Sequence, residues 1–474
     1  MKKHILLILC ILSSLKIFSQ QRDLIVDIQF IDYPYQKLAA ACISRTYPNF
    51  NIKPYHYFYA YTNPSMSQSL AISTTFSNAI LLALSKINYK ISSYNLVNAL
   101  YYTLAYTAGV SIIEYNPLGL GWLHEEFHRA VLTKNFVNSF NEANKFKYFS
   151  DIIRVYNVSD EDLIRMKAQS PQDFIRLHEA GIEGENAFAF RTYKYNFFYN
   201  QNLPYAFITS SSMLNSFYYI YFCQTKEAEI TTNEENKKDG KNIKIRDFTG
   251  LDFTAWVYDL NHPFEAYQAR GIHPSGIGIN RYIKPSDLRK DELKLLRKEA
   301  FLHLLNTISP FFIGINRIKL KNSEINFSFR HLLTSFGDDI GFYFYYKKNK
   351  INLILALHKY SNKYLNMPGI EAQIIAYPID FKYFTLYNHL ETKIWTEPEN
   401  LLYYDNKSFT GGSIKYKLEF VKKYWAPYIE VETKTKGWEA GNIFQEKNFS
   451  IKFGLSLIFN FQNNKSFIEL QKEK

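Results

Sequence analysis

Two histidines and a glutamate in the first third of the chain have the types and spacing to bind a metal ion and use it. They lie in the stretch His124-Glu125-Glu126-Phe127-His128-Arg129. Residues four apart lie on the same face of a helix, so the imidazoles of His124 and His128 can reach one ion. Glu125 is turned about 100° round the helix axis, where its carboxylate can act as general base on a metal-activated water. The pattern therefore predicts two ligands and a base.

The residues around this stretch predict the helix that the chemistry requires. Residues 116–121 read as a turn that leads into a helix. Apolar residues then recur at helical spacing through the motif, at Leu120, Leu123, Phe127, Ala130 and Val131. The alternative is a surface helix that carries two His and two Glu by chance.

The motif resembles the active-site helix of the zincin metallopeptidases, over about a dozen residues. The resemblance implies Zn²⁺ as the cofactor and a peptide or protein as the substrate. The metzincin branch would require Gly at position 131 and His at 134, whereas this chain has Val131 and Lys134. The gluzincin arrangement implies instead a third ligand from a Glu on a later helix.

A second helical stretch offers two candidates for that third ligand. Residues 170–173 form a helix-start signal, and helical spacing continues from Phe174 to Arg191. Glu185 shares a face with the small Gly181, which would let another helix approach. Glu183 points toward apolar positions, where a carboxylate would need a partner such as a metal. Both remain candidates, and the alternative is that they are two solvated surface acids.

The segment from Asp252 to Tyr282 is dense in residue types that occur in active sites, and its Gly and Pro residues predict a folded loop. A zinc peptidase needs a donor that stabilises the oxyanion of the tetrahedral intermediate. His273, His262, Arg270 or Tyr282 could supply it, and we expect the catalytic role from His273. Three further residues are candidates for substrate binding: His262, Arg270 and Tyr282. The alternative is that these side chains satisfy the backbone of a buried loop.

Residues 1–20 predict a secretory signal, because a basic end precedes an apolar core that is too short to span a membrane. We therefore expect an exported protein, at the outer membrane or in the periplasm. Only Cys42 and Cys223 follow this segment, so no disulfide framework is predicted. The formal charge of +12 is dispersed along an exported chain, which argues against nucleic-acid binding.

Three long apolar stretches, residues 66–87, 93–114 and 204–223, predict helices that are either buried or embedded in a membrane. Their scattered Ser, Thr and Asn residues favour a protein core. Residues 225–247 are charged and read as a mobile insertion. A charged helix from Ser286 to about Ile308 closes the helical half of the chain.

After Pro310 the apolar period changes from 3.6 to 2, which predicts about eight strands. They span residues 325–333, 340–346, 351–357, 369–376, 381–389, 414–421, 424–433 and 449–461. This half resembles the bacterial outer-membrane β-barrels, through a final strand of alternating apolar residues with aromatics at its end. It departs from them in its tail, residues 462–474. A soluble barrel or sandwich is the alternative.

These observations predict an α+β chain in three parts. Residues 1–20 are the signal, residues 21–308 a mainly α-helical zincin-like domain, and residues 309–474 an antiparallel β-barrel at the outer membrane. The predicted function is a zinc-dependent hydrolase of the cell envelope, with Glu125 as general base. Two alternatives stay open: an intramembrane metalloprotease, and a non-enzymatic barrel with a structural or transport role.

Overall fold

The computed structural model describes residues 22–46, 62–86, 95–115, 117–144, 153–199, 201 and 203–461. The chain combines α-helices with one large antiparallel sheet, most of whose strands come from the C-terminal half. The predicted mixture of helix and antiparallel sheet is therefore confirmed. The predicted signal segment and the tail after residue 461 lie outside the described residues.

Ten strands build the large sheet, and two short ones pair elsewhere. The strands are β1 (Arg22–Tyr33), β2 (Phe140–Asn141), β3 (Val155–Tyr156), β4 (Ile318–Lys319), β5 (Glu324–Thr334), β6 (Gly337–Lys348), β7 (Ile351–Ser361), β8 (Asn366–Asp380), β9 (Thr385–Pro398), β10 (Ser408–Val421), β11 (Trp425–Lys434) and β12 (Asn448–Phe461). The order in the sheet is β1-β12-β11-β10-β9-β8-β7-β6-β5-β4, and β2 pairs with β3. All eight strands predicted from the period-2 pattern are confirmed as β5 to β12. Among the described strands no pairing joins β1 to β4, so the sheet is not seen to close.

Strand β1 belongs to this sheet although it lies at the other end of the chain. It pairs antiparallel with β12, with Leu24 opposite Phe459 and Ile28 opposite Leu455. The alternation of residues 449–461 predicts a strand but not its partner, because pairing depends on contacts remote in sequence. The sheet therefore takes strands from both sides of the boundary predicted at residue 309.

The two faces of the sheet differ in polarity. The face that packs against the helices carries charged residues, including Glu371, Lys393, Glu430, Glu432 and Lys452. The opposite face exposes large apolar side chains, among them Leu355, Leu357, Ile370, Ile394, Ile414, Phe449 and Phe453. Side chains alternate between the faces of a strand, so the period-2 pattern produces this division directly. The polarity is the reverse of that in a soluble sheet, whose apolar face is the buried one.

The helices lie between β1 and β4 in the chain. They are α1 (Tyr35–Thr46), α2 (Met66–Lys86), α3 (Asn95–Tyr115), α4 (Leu120–Lys134), α5 (Asp160–Gln169), α6 (Pro171–Phe198), α7 (Ala206–Phe222), α8 (Lys226–Asp239), α9 (Asp252–Asn261) and α10 (Lys290–His303). Helices α2, α3 and α7 confirm the helices predicted for the three apolar stretches. Within the described residues, no helix has both the length and the apolar character needed to cross a membrane.

Helix α6 connects the helical part of the protein to the sheet. It begins with Pro171 at its first turn, a position that needs no backbone donor. Its N-terminal half packs against α4, and its C-terminal half lies on the polar face of the sheet. There the ring of Phe190 is 4.8 Å from that of Tyr343, and Arg191 forms an ion pair with Asp27. The residues on α6 are thereby held in place by both parts of the structure.

Two segments that we expected to be loops contain helices. Residues 226–239 form α8, whose N-cap Thr225 accepts a hydrogen bond from the backbone N–H of Ala228. Residues 252–261 form α9, because the Gly and Pro residues of that region come only after Asn261. Cys42 and Cys223 are buried and unbridged. The first residue of α9, Asp252, lies close to His124 and His128 of α4.

Candidate metal centre

The predicted motif helix is present as α4, and it is buried on most of its surface. It starts after Gly119, which has extended backbone geometry, and runs to Lys134. His124 and His128 lie one turn apart, and their ring centroids are 4.9 Å apart. Both imidazoles therefore face the same side of the helix, as the spacing predicts.

Two glycines let α6 approach α4 closely. A Cβ atom on Gly181 would overlap the imidazole of His124, and one on Gly184 would lie 2.9 Å from Cγ of Phe127. Any larger side chain at Gly181 would therefore displace the histidine. The close approach expected from Gly181 is present, and it is His124 that occupies the space beside it.

Asp252 completes a group of three donors with the two histidines. Its Oδ2 lies 3.3 Å from Nε2 of His124 and 3.6 Å from Nε2 of His128. Two donors that each lie about 2.1 Å from a tetrahedral ion are roughly 3.4 Å apart. The observed separations therefore fit a single small cation held by two imidazoles and one carboxylate.

The electrostatics of the group favour a positive charge between its donors. Nε2 of His128 is buried and has no hydrogen-bond partner among the described residues. Burial alone would raise the pKa of Asp252, but His128 and His124 lower it below its ordinary value, so the carboxylate is ionised. Burial lowers the pKa of His124, but hydrogen bonds to Asp252 and Glu185 raise it well above the ordinary value. The donor set thus suits a divalent cation.

Both histidines are oriented through their other ring nitrogen. Nδ1 of His124 lies 2.8 Å from Oε1 of Glu185, and Nδ1 of His128 lies 2.6 Å from the carbonyl oxygen of Leu177. Each Nδ1–H donates to an oxygen, so Nε2 is the nitrogen that faces Asp252, and it carries the lone pair when the imidazole is neutral. Oε2 of Glu185 in turn accepts hydrogen bonds from Ser212 and Ser216 of α7, each at 2.8 Å. Glu185 is thus fixed at both of its oxygens.

A cavity of about 330 Å³ opens beside the three donors. Glu125 lines it, and among the described residues its carboxylate has no hydrogen-bond or ion-pair partner. Burial raises the pKa of Glu125 well above the ordinary value, and the neighbouring His124 opposes that shift only in part. Glu125 therefore holds a proton more readily than an exposed glutamate does.

Asp252, rather than Glu183 or Glu185, occupies the third position of the group. Glu185 contacts the far nitrogen of His124, as described above. Glu183 is buried in an ion pair with Arg176, with Oε1 2.7 Å from Nη2, and accepts a hydrogen bond from the backbone N–H of Gly441. The partner that a buried carboxylate requires is thus an arginine, so the contacts do not support Glu183 as a ligand.

Most of the residues expected around the reaction centre have structural contacts instead. Arg270 pairs with Asp259, and Nε2 of His262 lies 2.9 Å from Oε1 of Glu292. Nδ1 of His273 lies 2.8 Å from Oγ of Ser275 within its own turn. None of these three lines the cavity beside Glu125. These contacts correspond to the alternative in which the loop side chains hold the loop together.

Tyr282 is the exception, since it lines the cavity together with His124 and Glu125. Its hydroxyl donates to Oδ2 of Asp239 at 2.5 Å. Tyr219, which sequence reasoning missed, lines the same cavity and donates to Oδ2 of Asp252 at 3.1 Å. Tyr219 therefore helps to orient the third donor, whereas Tyr282 contributes to the cavity wall.

A second group with metal-binding residue types consists of Glu299, His331 and Asp338, all buried. Nζ of Lys298 lies 2.9 Å from Glu299 and 3.5 Å from Asp338. A lysine ammonium therefore lies against both acids of this group, whereas no lysine or arginine forms an ion pair with Asp252 among the described residues. Of these two groups, the one that includes His124 and His128 of α4 is therefore the better candidate for a metal ion.

Comparisons of the chain with protein-family models, curated proteins and solved structures found no match.

Proposed function

We propose that this protein is a metal-dependent hydrolase, a zinc peptidase of the cell envelope. The ligands are His124, His128 and Asp252, and Glu125 is the general base. The observation that carries the proposal is the convergence of three donor atoms beside a cavity lined by Glu125, whose carboxylate has no hydrogen-bond or ion-pair partner among the described residues. Two imidazoles and one carboxylate with room for a further ligand form a donor set typical of catalytic zinc.

The residues of the site divide the chemical work between them. Zn²⁺, when bound, supplies Lewis acidity that polarises a substrate carbonyl and lowers the pKa of water. Glu125 accepts the proton of the attacking water and can return it to the departing amine, because its carboxylate lines the cavity beside the three donors. Glu185 and the Leu177 carbonyl keep the histidine lone pairs directed at the ion.

The substrate class rests on the resemblance to the zincins, which implies a peptide or protein. The size of the cavity favours a short extended segment as the substrate. Its volume of 330 Å³ would hold about two or three side chains, which is far less than a folded domain. Apolar residues such as Phe222, Phe248 and Leu251 form part of its wall. A short unfolded stretch of chain with an apolar side chain next to the cleaved bond fits this lining.

The test compares two adjacent glutamates with the same substitution. Glu125→Gln should keep a stoichiometric metal ion and abolish cleavage of a labelled unfolded protein. Glu126→Gln is the matched control, because Glu126 is buried in a pair with Arg129 at 2.6 Å, away from the cavity. It should lower stability and leave cleavage per folded molecule in place. Full activity of the Glu125 variant, or a purified protein without stoichiometric metal, would favour the non-enzymatic alternative.

We further propose that the apolar face of the sheet contacts the hydrocarbon of the outer membrane. Its exposed residues include Leu357, Ile370 and Ile394, while charged side chains face inward. An apolar outer face over a polar interior is the arrangement expected of a membrane barrel. A Leu357→Arg variant should lose about 2–4 kcal/mol of stability in vesicles. If the Leu357→Arg variant were as stable in vesicles as the native protein, that result would contradict the membrane contact.

A further inference from the structure

A second cavity, of about 320 Å³, lies between α6 and the polar face of the sheet. Lys194 of α6 and Arg330 of β5 both line it. It shares no lining residue with the cavity beside Glu125. Lys194 lies nine residues beyond Glu185 on α6, or about 14 Å along the helix. The feature is therefore distinct from the candidate metal centre.

Most charges that line this cavity are paired with each other. The pairs are Lys393 with Glu371 at 3.2 Å, Lys415 with Glu391 at 3.5 Å, Lys452 with Glu430 at 3.0 Å, and Arg191 with Asp27. Glu371 and Glu391, the two acids that interact electrostatically with Lys194, thus each have a cation of their own. A carboxylate that already has a partner neutralises a further cation poorly.

Lys194 and Arg330 lack such a partner within the described ranges. Among the described residues, neither has a carboxylate oxygen within the 4.0 Å of an ion pair. Both lie against Phe190, with Lys194 Nζ 4.5 Å and Arg330 Cζ 4.4 Å from the centre of its ring. The ring face provides some electrostatic compensation, although less than an anion does.

Arg330 is the more deeply buried of the two, with 9% of its surface exposed. Nη1 donates to the hydroxyl of Tyr343 at 3.3 Å, and this is the one hydrogen bond of the guanidinium to the described residues. Its Nε is buried and has no hydrogen-bond partner in the described part of the chain. A buried guanidinium whose Nε edge is unused can donate to an oxyanion in the forked geometry typical of arginine.

We propose that Lys194 and Arg330 form a binding site for an oxyanion, a phosphate or a carboxylate group on a small molecule. The anion accepts hydrogen bonds from the Nε edge of Arg330 and pairs with the ammonium of Lys194. Its charge compensates two cations that have no carboxylate partner among the described residues, one of which, Arg330, is buried. The cavity volume leaves room for a small molecule attached to the anionic group. The site is independent of the hydrolase proposal.

The experiment titrates the full-length protein, folded in detergent micelles, with inorganic phosphate and separately with acetate. Binding is measured by calorimetry at constant ionic strength, which chloride maintains. We expect saturable binding of one anion per chain, and the preferred probe tells a phosphate ligand from a carboxylate ligand. Lys194→Met and Arg330→Met should each weaken binding about tenfold or more. Arg330→Lys keeps the positive charge but loses the forked hydrogen-bonding geometry of the guanidinium. Its affinity for the anion should therefore lie between that of the methionine variants and that of the native protein.

Lys348→Met is the control, because Lys348 is exposed at the end of β6 and does not line the cavity. Its affinity should equal that of the native protein. If an Arg330 variant fails to fold, the Lys194 variant still decides the question. Two results overturn the proposal: no saturable binding of either anion, or equal affinity in Lys194→Met and the native protein. Either result would mean that the carboxylates of the lining, or water, satisfy the two cations.

Discussion

Removal of the Glu185 side chain should lower the metal affinity of the site but leave its three donor residues in place. Glu185 contacts Nδ1 of His124 rather than the side of the ring that faces Asp252. Glu185→Ala removes a 2.8 Å hydrogen bond whose carboxylate fixes the tautomer and the orientation of the ring. Loss of such an outer contact typically costs about 10–100-fold in metal affinity, or about 1.4–2.7 kcal/mol.

Two features of the structure keep this loss moderate. The side chain of Glu185 is 16% exposed, so water can enter the space that alanine leaves and accept the hydrogen bond of Nδ1. The hydroxyl of Ser216 also lies 2.9 Å from the backbone oxygen of Ser212, to which it can donate its one hydrogen once the carboxylate is removed. Glu185→Gln should lose less affinity than Glu185→Ala, because the amide oxygen can still accept from Nδ1.

The assay is a competition between the protein and a chelator of known zinc affinity, read as the zinc retained per folded chain. The expected order of affinity is native, then Glu185→Gln, then Glu185→Ala, with Asp252→Ala far below. The reasoning would be refuted by an Asp252→Ala variant that retains zinc while Glu185→Ala loses it completely. That result would make Glu185 a direct ligand and Asp252 an outer contact.

Three further substitutions probe the geometry of the same region. Asp252→Ala should leave the purified protein without stoichiometric metal after dialysis that leaves the native protein loaded, as elemental analysis would show. Gly181→Ala should displace the imidazole of His124, with an overpacking cost of about 1–3 kcal/mol in thermal unfolding and a weaker metal site in the chelator competition. Glu183→Ala should lower the free energy of unfolding by about 3–5 kcal/mol, because it leaves Arg176 buried and unpaired. Zinc affinity per folded molecule should then be unchanged, and a selective loss of zinc would contradict the assignment of Glu183 to an ion pair.

Local patterns in the sequence predicted the motif helix and the strands of the C-terminal half. His124 and His128 share a face because they are four residues apart on α4, and no other part of the chain is needed for that. The strands β5 to β12 follow from alternation within each segment. The helix α8 was missed because its charged composition gives no apolar period, although Thr225 is a capping residue. Local patterns succeed where the interactions are local.

Which acid joins the two histidines was decided by the tertiary structure. Asp252 is 128 residues from His124 in the sequence and reaches it only because α9 packs against α6. The sequence offered Glu183 and Glu185 as candidates and could not choose between them. The packing of α6 gives the two glutamates different contacts. Glu185 lies on the face that meets α4, and Glu183 lies on the face that meets the segment around Gly441. Sequence spacing thus determines which residues share a face, and only the packing of those faces determines what each residue contacts.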